Sequence, residues 1–228
     1  MKIVFLSIFL CFVQYAVALT VYTDTPYIRP FLNKTLPSVK YTDNSEKAEL
    51  GLVNGLRHSV IRANMHDYTI GIEDINLEDG KVNDNVIYSF DNYKKILHNI
   101  TDVLSLHYPH EEKKFHEILK KTFQEIDAIK QSVKCKKKMI FRYGNRFDYL
   151  LKEFQQPFIP VDGSFTAREK AFREYNISLI FVCEPMPETI KKSIDALLAG
   201  YVYYDVSVYD QITDLPIQLK TVLEAFSR

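Results

Sequence analysis

The residues of this chain suited to chemistry are carboxylates and histidines, and none stands in a spacing that defines a reaction. The 228 residues contain no Gly-x-Ser-x-Gly elbow, His-Glu-x-x-His pair or phosphate-binding glycine loop. Nothing therefore supplies an activated serine, a zinc-bound base or a phosphate cradle. Glu184 follows the apolar run Ile177–Cys183, and Asp205 follows Tyr201–Tyr204. If those runs are neighbouring strands, the two carboxylates sit at adjacent tips and could form an acid–base pair. Strand-end carboxylates are more often structural, so the chain is expected not to be an enzyme and no catalytic residue is assigned. His58 reads as an exposed histidine at a helix start. His107, His110 and His116 lie near Glu111 and Glu112, but they straddle Pro109 and lack i, i+4 spacing, which makes a poor metal set. His66 and His98 have no grouping. The basic run Lys134–Lys138 could dock an anionic surface, though it reads as a solvated helix terminus.

The elements that must position these groups alternate along the chain. Leu19–Thr23, Val39–Thr42, Glu49–Val53 and Thr69–Ile72 read as strands, with helices at Pro26–Leu32 and Arg57–His66 and a polar loop at Asn76–Asn85. After Ser89, apolar residues recur at Phe90, Tyr93, Leu97, Ile100 and Leu104, near the helical period, and Tyr108-Pro109 ends that helix. Phe115, Ile118, Leu119, Phe123, Ile126, Ile129 and Val133 then share one face of a helix over His110–Val133, about 36 Å long at 1.5 Å per residue. Beyond it come strands at Lys138–Arg142, Phe158–Val161, Ile177–Cys183 and Tyr201–Tyr204. Helices at Arg146–Phe154, Phe165–Tyr175, Pro187–Ala199 and Asp214–Phe226 separate or follow them. The pattern predicts an α/β protein of two lobes. Each has a roughly four-stranded parallel sheet flanked by helices, and one long backbone helix links them. The divisions are residues 1–18 as a signal peptide, 19–108 as the N-terminal lobe with its following helix, 109–134 as the linking helix, and 135–228 as the C-terminal lobe. Ligands of such sheets sit at the carboxyl ends of the strands.

Met1-Lys2, the apolar run Ile3–Val13 and the small residues Ala16 and Ala18 have the order of a secretory signal. The mature chain is expected to begin near Leu19 and to work outside the cytoplasm. No later stretch reaches the ~18 apolar residues of a membrane span. The 29 basic and 29 acidic residues cancel, which argues against a nucleic-acid partner recognised through a basic surface. Three cysteines are too few for a disulfide scaffold. Cys135 precedes one strand and Cys183 closes another, so in parallel neighbours their sulfurs lie at opposite sheet ends, and both are expected to be free. Asn33, Asn99 and Asn176 carry the glycosylation triplet, which chance readily supplies in an Asn-rich chain.

Several stretches, in order, resemble the extracytoplasmic zinc and manganese receptors of bacterial ABC importers. Ala48–Leu56 (AELGLVNGL) resembles the family's ADLVVYNGL strand and turn. Thr69–Asp84 (TIGIEDINLEDGKVND) is similar to the segment before its second ligand, and Asn85–Asn92 (NVIYSFDN) stands where the family has HVWLDPxN. Ile140–Leu150 (IFRYGNRFDYL) resembles the HDAFGYL turn and Ile180–Pro185 (IFVCEP) the IFAEP strand end, while Tyr204-Asp205 falls at the last ligand. The resemblance runs from about Leu19 to Arg228. It implies a monomeric periplasmic receptor that delivers zinc or manganese to an inner-membrane ABC permease.

The family binds its ion with three histidines and a carboxylate, a set that suits zinc. Here Tyr41–Lys47 contains no histidine at the first position, Asn85 stands at the second and Gly144 at the third, and Asp205 alone remains. A divalent ion would need Asp205 and Asn85 supplemented by Tyr143, Asn145 or Glu184. The resemblance therefore leaves two readings: a metal receptor with a degraded site, or a metal-free paralogue of the same fold that acts as an adaptor or binds another ligand.

Overall fold

In the computed structural model, residues 19–53, 66–69, 84–161, 174, 179–197 and 202–227 are described. Short runs of β-branched and aromatic residues form its strands. β1 (Thr20–Thr23) alternates half-buried and buried residues, while β5 (Ile140–Tyr143) and β7 (Leu179–Val182) are nearly continuous in burial, as expected of parallel strands covered on both faces. With β2 (Lys40–Tyr41), β3 (Leu50–Val53) and β4 (His66–Thr69), β1 forms a sheet of order β2-β1-β3-β4. With β6 (Phe158–Pro160) and β8 (Val202–Asp205), β5 and β7 form a second sheet of order β6-β5-β7-β8. All pairings are parallel. Both sheets thus wind alike, with a reversal of strand order beside β1 in one and beside β5 in the other. At such a reversal the loops leaving two adjacent strands diverge and open a crevice at the strand tips.

The helices are α1 (Arg29–Thr35), α2 (Phe90–His107), α3 (Glu112–Ser132), α4 (Asp148–Glu153), α5 (Glu188–Leu197) and α6 (Leu215–Phe226). Ser89 opens α2 by accepting from the Asn92 backbone N–H, and Asp214 opens α6 by accepting from Ile217, so each satisfies a donor the first turn leaves unpaired. The α3 residues Phe115, Leu119, Thr122 and Ile126 form its buried stripe. That stripe lies against α1 and α2 of the first lobe and α6 of the second, which makes α3 the expected backbone. A single hydrophobic cluster runs through both lobes, from Val21, Phe31 and Leu52 through Phe90 and Phe115 to Phe147, Phe181 and Phe226. A smaller cluster of Phe141, Val161, Ile180 and Ile194 covers the other face of the second sheet.

Differences from expectation lie at element ends. The described part of the fourth strand is His66–Thr69, so it begins three residues before the expected Thr69 and His66 is a strand residue and not the end of a helix. The parallel register explains this: Leu50 pairs with His66 and Val53 with Thr69, and β3 determines which residues extend. β8 ends at Asp205, where the strand was expected to end. The backbone helix begins at Glu112 after a 3-10 turn over Pro109–Glu111, because proline suits a first turn but not the interior. The signal segment, the helix expected over residues 57–65 with His58, the strand beyond Thr69, the loop residues 76–83, Asn176 and nearly all of the helix at Phe165–Tyr175 lie outside the described residues. Both described cysteines are free, Cys183 fully buried and Cys135 half-buried. No helix among the described residues is long and apolar enough to cross a membrane.

Candidate functional site

The crevice of the second lobe lies where β5 and β7 end. The chain leaves β5 at Tyr143 and turns through Gly144, whose φ of 80° falls in the left-handed region open to glycine. This turn sends the Asn145 backbone N–H to the Glu184 carboxylate, at 3.0 Å, just past the end of β7. A Cβ on Gly144 would lie 2.7 Å from the Glu184 Cβ, so the bare backbone is what lets the two loops approach. From the other lobe, the turn before α2 brings Asn85, whose Nδ2 donates to Asn145 Oδ1 at 2.6 Å. The β5–β7 tips of the second lobe therefore meet the turn before α2 of the first, joined by an amide–amide hydrogen bond.

Three of the five expected site residues, Asn85, Asn145 and Glu184, form this chain. The other two have different surroundings. Tyr143, Val182 and Asp205 occupy one row of the register across β5, β7 and β8, which places Tyr143 and Asp205 two strand spacings apart, roughly 10 Å. The Tyr143 ring packs against the smaller cluster on the far face. Asp205 Oδ1 accepts from the Ser207 backbone N–H at 2.8 Å and from its hydroxyl at 2.6 Å, closing a local turn.

Residues that spacing did not single out complete the crevice. Arg146 follows the β5 turn directly. Its guanidinium is ion-paired with Asp210, from the turn after β8, and lies 5.9 Å from the centre of the Tyr88 ring in the first lobe. Burial works to lower the Arg146 pKa, but the hydrogen bond and charge of Asp210, with help from Tyr88 and Glu184, raise it overall. Tyr88 stands edge-on to Phe147 at 5.3 Å and to Tyr27 at 5.9 Å, and its hydroxyl is 3.4 Å from that of Tyr27. Burial, then the Tyr27 hydroxyl, push the Tyr88 pKa above that of a free phenol, so it stays neutral. Tyr27 comes from the turn after β1, so both strand-order reversals feed one interlobe contact. Only the position of Arg146, a lone cation just past a strand-tip glycine, marked it in sequence.

Below the crevice the lobes are braced. Glu153 of α4 accepts from the Ser89 hydroxyl at 2.7 Å and the Phe90 backbone N–H at 2.9 Å, so a carboxylate of one lobe caps a helix of the other. Lys130 of α3 closes the brace, 2.5 Å from Glu153 and 2.8 Å from Asp91.

The donor set does not fit an imidazole zinc centre. Among the described residues no group of three or more histidine, cysteine, aspartate or glutamate side chains could hold a metal ion. The Asn85 amide nitrogen faces the Asn145 oxygen, and Asp205 already accepts two hydrogen bonds. His116 lies 3.9 Å from Glu112, and the Glu111 carboxylate bonds Lys114.

Two like-wound parallel sheets joined along one long helix are a fold shared with solved periplasmic metal-binding proteins. Among solved structures, that of ZnuA superposes with a TM-score of 0.75 at 15% identity, covering 92% of this chain and 98% of its own. The Zn(II)-bound ZnuA-like domain of AdcA from Streptococcus pneumoniae gives 0.66 at 11% identity, covering 92% and 100%. The Mn-bound periplasmic metal-binding protein of Candidatus Liberibacter asiaticus gives 0.66 at 15% identity, covering 91% and 99%. No protein-family model matches the sequence, and no curated protein matches it.

Proposed function

We propose that this chain is a non-enzymatic, extracytoplasmic receptor of the metal-importer type, acting as a monomer beside an inner-membrane ABC permease, and that its cleft has lost imidazole zinc capture. The observation that carries the reading is the two-lobed fold shared with ZnuA over 92% of the chain, combined with the hydrogen-bonded Asn85–Asn145–Glu184 chain at the strand tips. Such a protein presents a closed pair of lobes to its permease. The shared core, the α3 backbone and the Glu153 brace limit the lobes to small tilts, a rigidity that suits surface recognition.

A second reading has one observation behind it. Asn85, Asn145 and Glu184 carry oxygen donors at the lobe interface, and oxygen suits a hard ion such as manganese better than zinc. Equilibrium dialysis of the mature protein against zinc, manganese and iron, followed by metal analysis, separates the two. The first reading expects no stoichiometric ion at micromolar concentration. Retained manganese lost in Glu184→Ala would favour the second. Stimulation of the permease ATPase in proteoliposomes tests the receptor role itself, and no response at any protein concentration would reject it.

A further inference from the structure

A cleft that closes around an ion needs a positive charge bridging its walls, and one is already built in. Arg146 is four-fifths buried, always charged, and in contact with three separate elements: the β5 tip that carries it, the turn after β8 through Asp210, and the first lobe through the face of Tyr88. Glu184, on the β7 tip, adds a further favourable charge. A planar guanidinium engages a carboxylate and an aromatic face together, which suits it to bridge two lobes. A divalent ion entering here would meet that fixed cation at short range, and its nearest carboxylates are already engaged by Arg146 and the Asn145 amide. A side-chain ligand cannot be restored at Gly144, since Glu184 fills the space any Cβ would need.

We propose that Arg146 is the resident cation of the cleft: its guanidinium does the bridging an ion would do, so the lobes close without cargo and divalent metals are excluded. The inference rests on the receptor reading for its biological meaning, but not for its geometry.

Hydrogen–deuterium exchange on the whole mature protein tests it, followed in peptides covering residues 84–93 and 144–150. In the wild type, saturating zinc or manganese should change exchange in both peptides by less than about twofold, because the closed state is already populated. Arg146→Gln should speed exchange in both by about tenfold or more, with the α6 amides unchanged as a folding control. Arg146→Lys, which keeps the charge but not the fork, should recover part of the protection. Asp210→Asn, which leaves the guanidinium unbalanced with little change of shape, should reproduce the effect of Arg146→Gln even if that variant folds poorly. Slowing of wild-type exchange by about tenfold on adding either metal would overturn the proposal, as would unchanged exchange in both Arg146→Gln and Asp210→Asn. Failure of the wild type to stimulate a permease would sink the receptor reading and leave these exchange results standing.

Discussion

Replacement of Glu153 by alanine should be among the most destabilising single changes in the molecule, because one carboxylate serves three partners across the lobe interface. Its side chain is 8% exposed. It accepts from the Ser89 hydroxyl and the Phe90 N–H and lies against Lys130. A hydrogen bond to a charged group contributes about 1.5–3 kcal/mol, and removing one member of a buried ion pair costs about 3–5 kcal/mol. Lys130 is 28% exposed and also reaches Asp91, so it is left partly solvated and partly paired, which lowers the penalty. The net expectation for Glu153→Ala is about 3–4 kcal/mol. For a domain of this size that corresponds to a fall in Tm of about 6–16 °C. Glu153→Gln keeps an acceptor for Ser89 and Phe90 but loses the charge, and should cost about half as much. Circular dichroism melts and urea titrations measure both. A loss below about 1 kcal/mol for the alanine variant would refute the claim that this carboxylate joins the lobes. A double-mutant cycle with Lys130→Met should return a coupling of about 1 kcal/mol, and zero coupling would show the ion pair to be inert.

Gly144→Ala should destabilise by about 2–3 kcal/mol, combining the left-handed backbone with displacement of Glu184, and Glu184→Ala should relieve part of that cost in the double variant, as thermal melts will show. Burial works to raise the Asp91 pKa, but Lys130 overcomes it and holds it below 3.8; the stability this contributes is fully present above that value and is lost as pH falls through the lower folded pKa. Urea midpoints from pH 5 to 2 should accordingly fall less steeply in Asp91→Asn than in the wild type, by less than about 1 kcal/mol since the group is half exposed. Cys183 should react with a thiol reagent only after unfolding and Cys135 sooner, with the same Tm in the presence and absence of reductant; a reductant-dependent Tm would reveal a disulfide that the free thiols exclude.

Much of the architecture was legible locally. The apolar spacing of Phe90, Tyr93, Leu97, Ile100 and Leu104 reports one face of α2, since a packed helix repeats its burial every 3.6 residues. The nearly continuous apolar run at Ile177–Cys183 reports a strand covered on both sides. Opposite sheet ends for Cys135 and Cys183 followed once the strands were taken as parallel. Element ends were less legible. The extent of β4 depends on pairing with β3, a non-local interaction that no window around His66 contains.

For the site, sequence placed Glu184 at a strand tip, because residue type and strand boundaries are local properties; the missing imidazoles and Asp205 as a remaining ligand were expectations that only the resemblance carried. It also grouped Tyr143 and Asp205 with Asn85, Asn145 and Glu184, and there proximity to a strand end was an insufficient guide. Side chains on a strand alternate faces, and the register row through Val182 sets Tyr143 and Asp205 two strand spacings from each other. The meetings that define the cleft join residues 60 or more positions apart: Asn85 with Asn145, Arg146 with Asp210, and Ser89 with Glu153. Such contacts are set by how two sheets and one helix pack, and no periodicity encodes them. The chain alone determined that there would be two parallel sheets and a rod between them; only their packing decided that a guanidinium would stand where the two lobes meet.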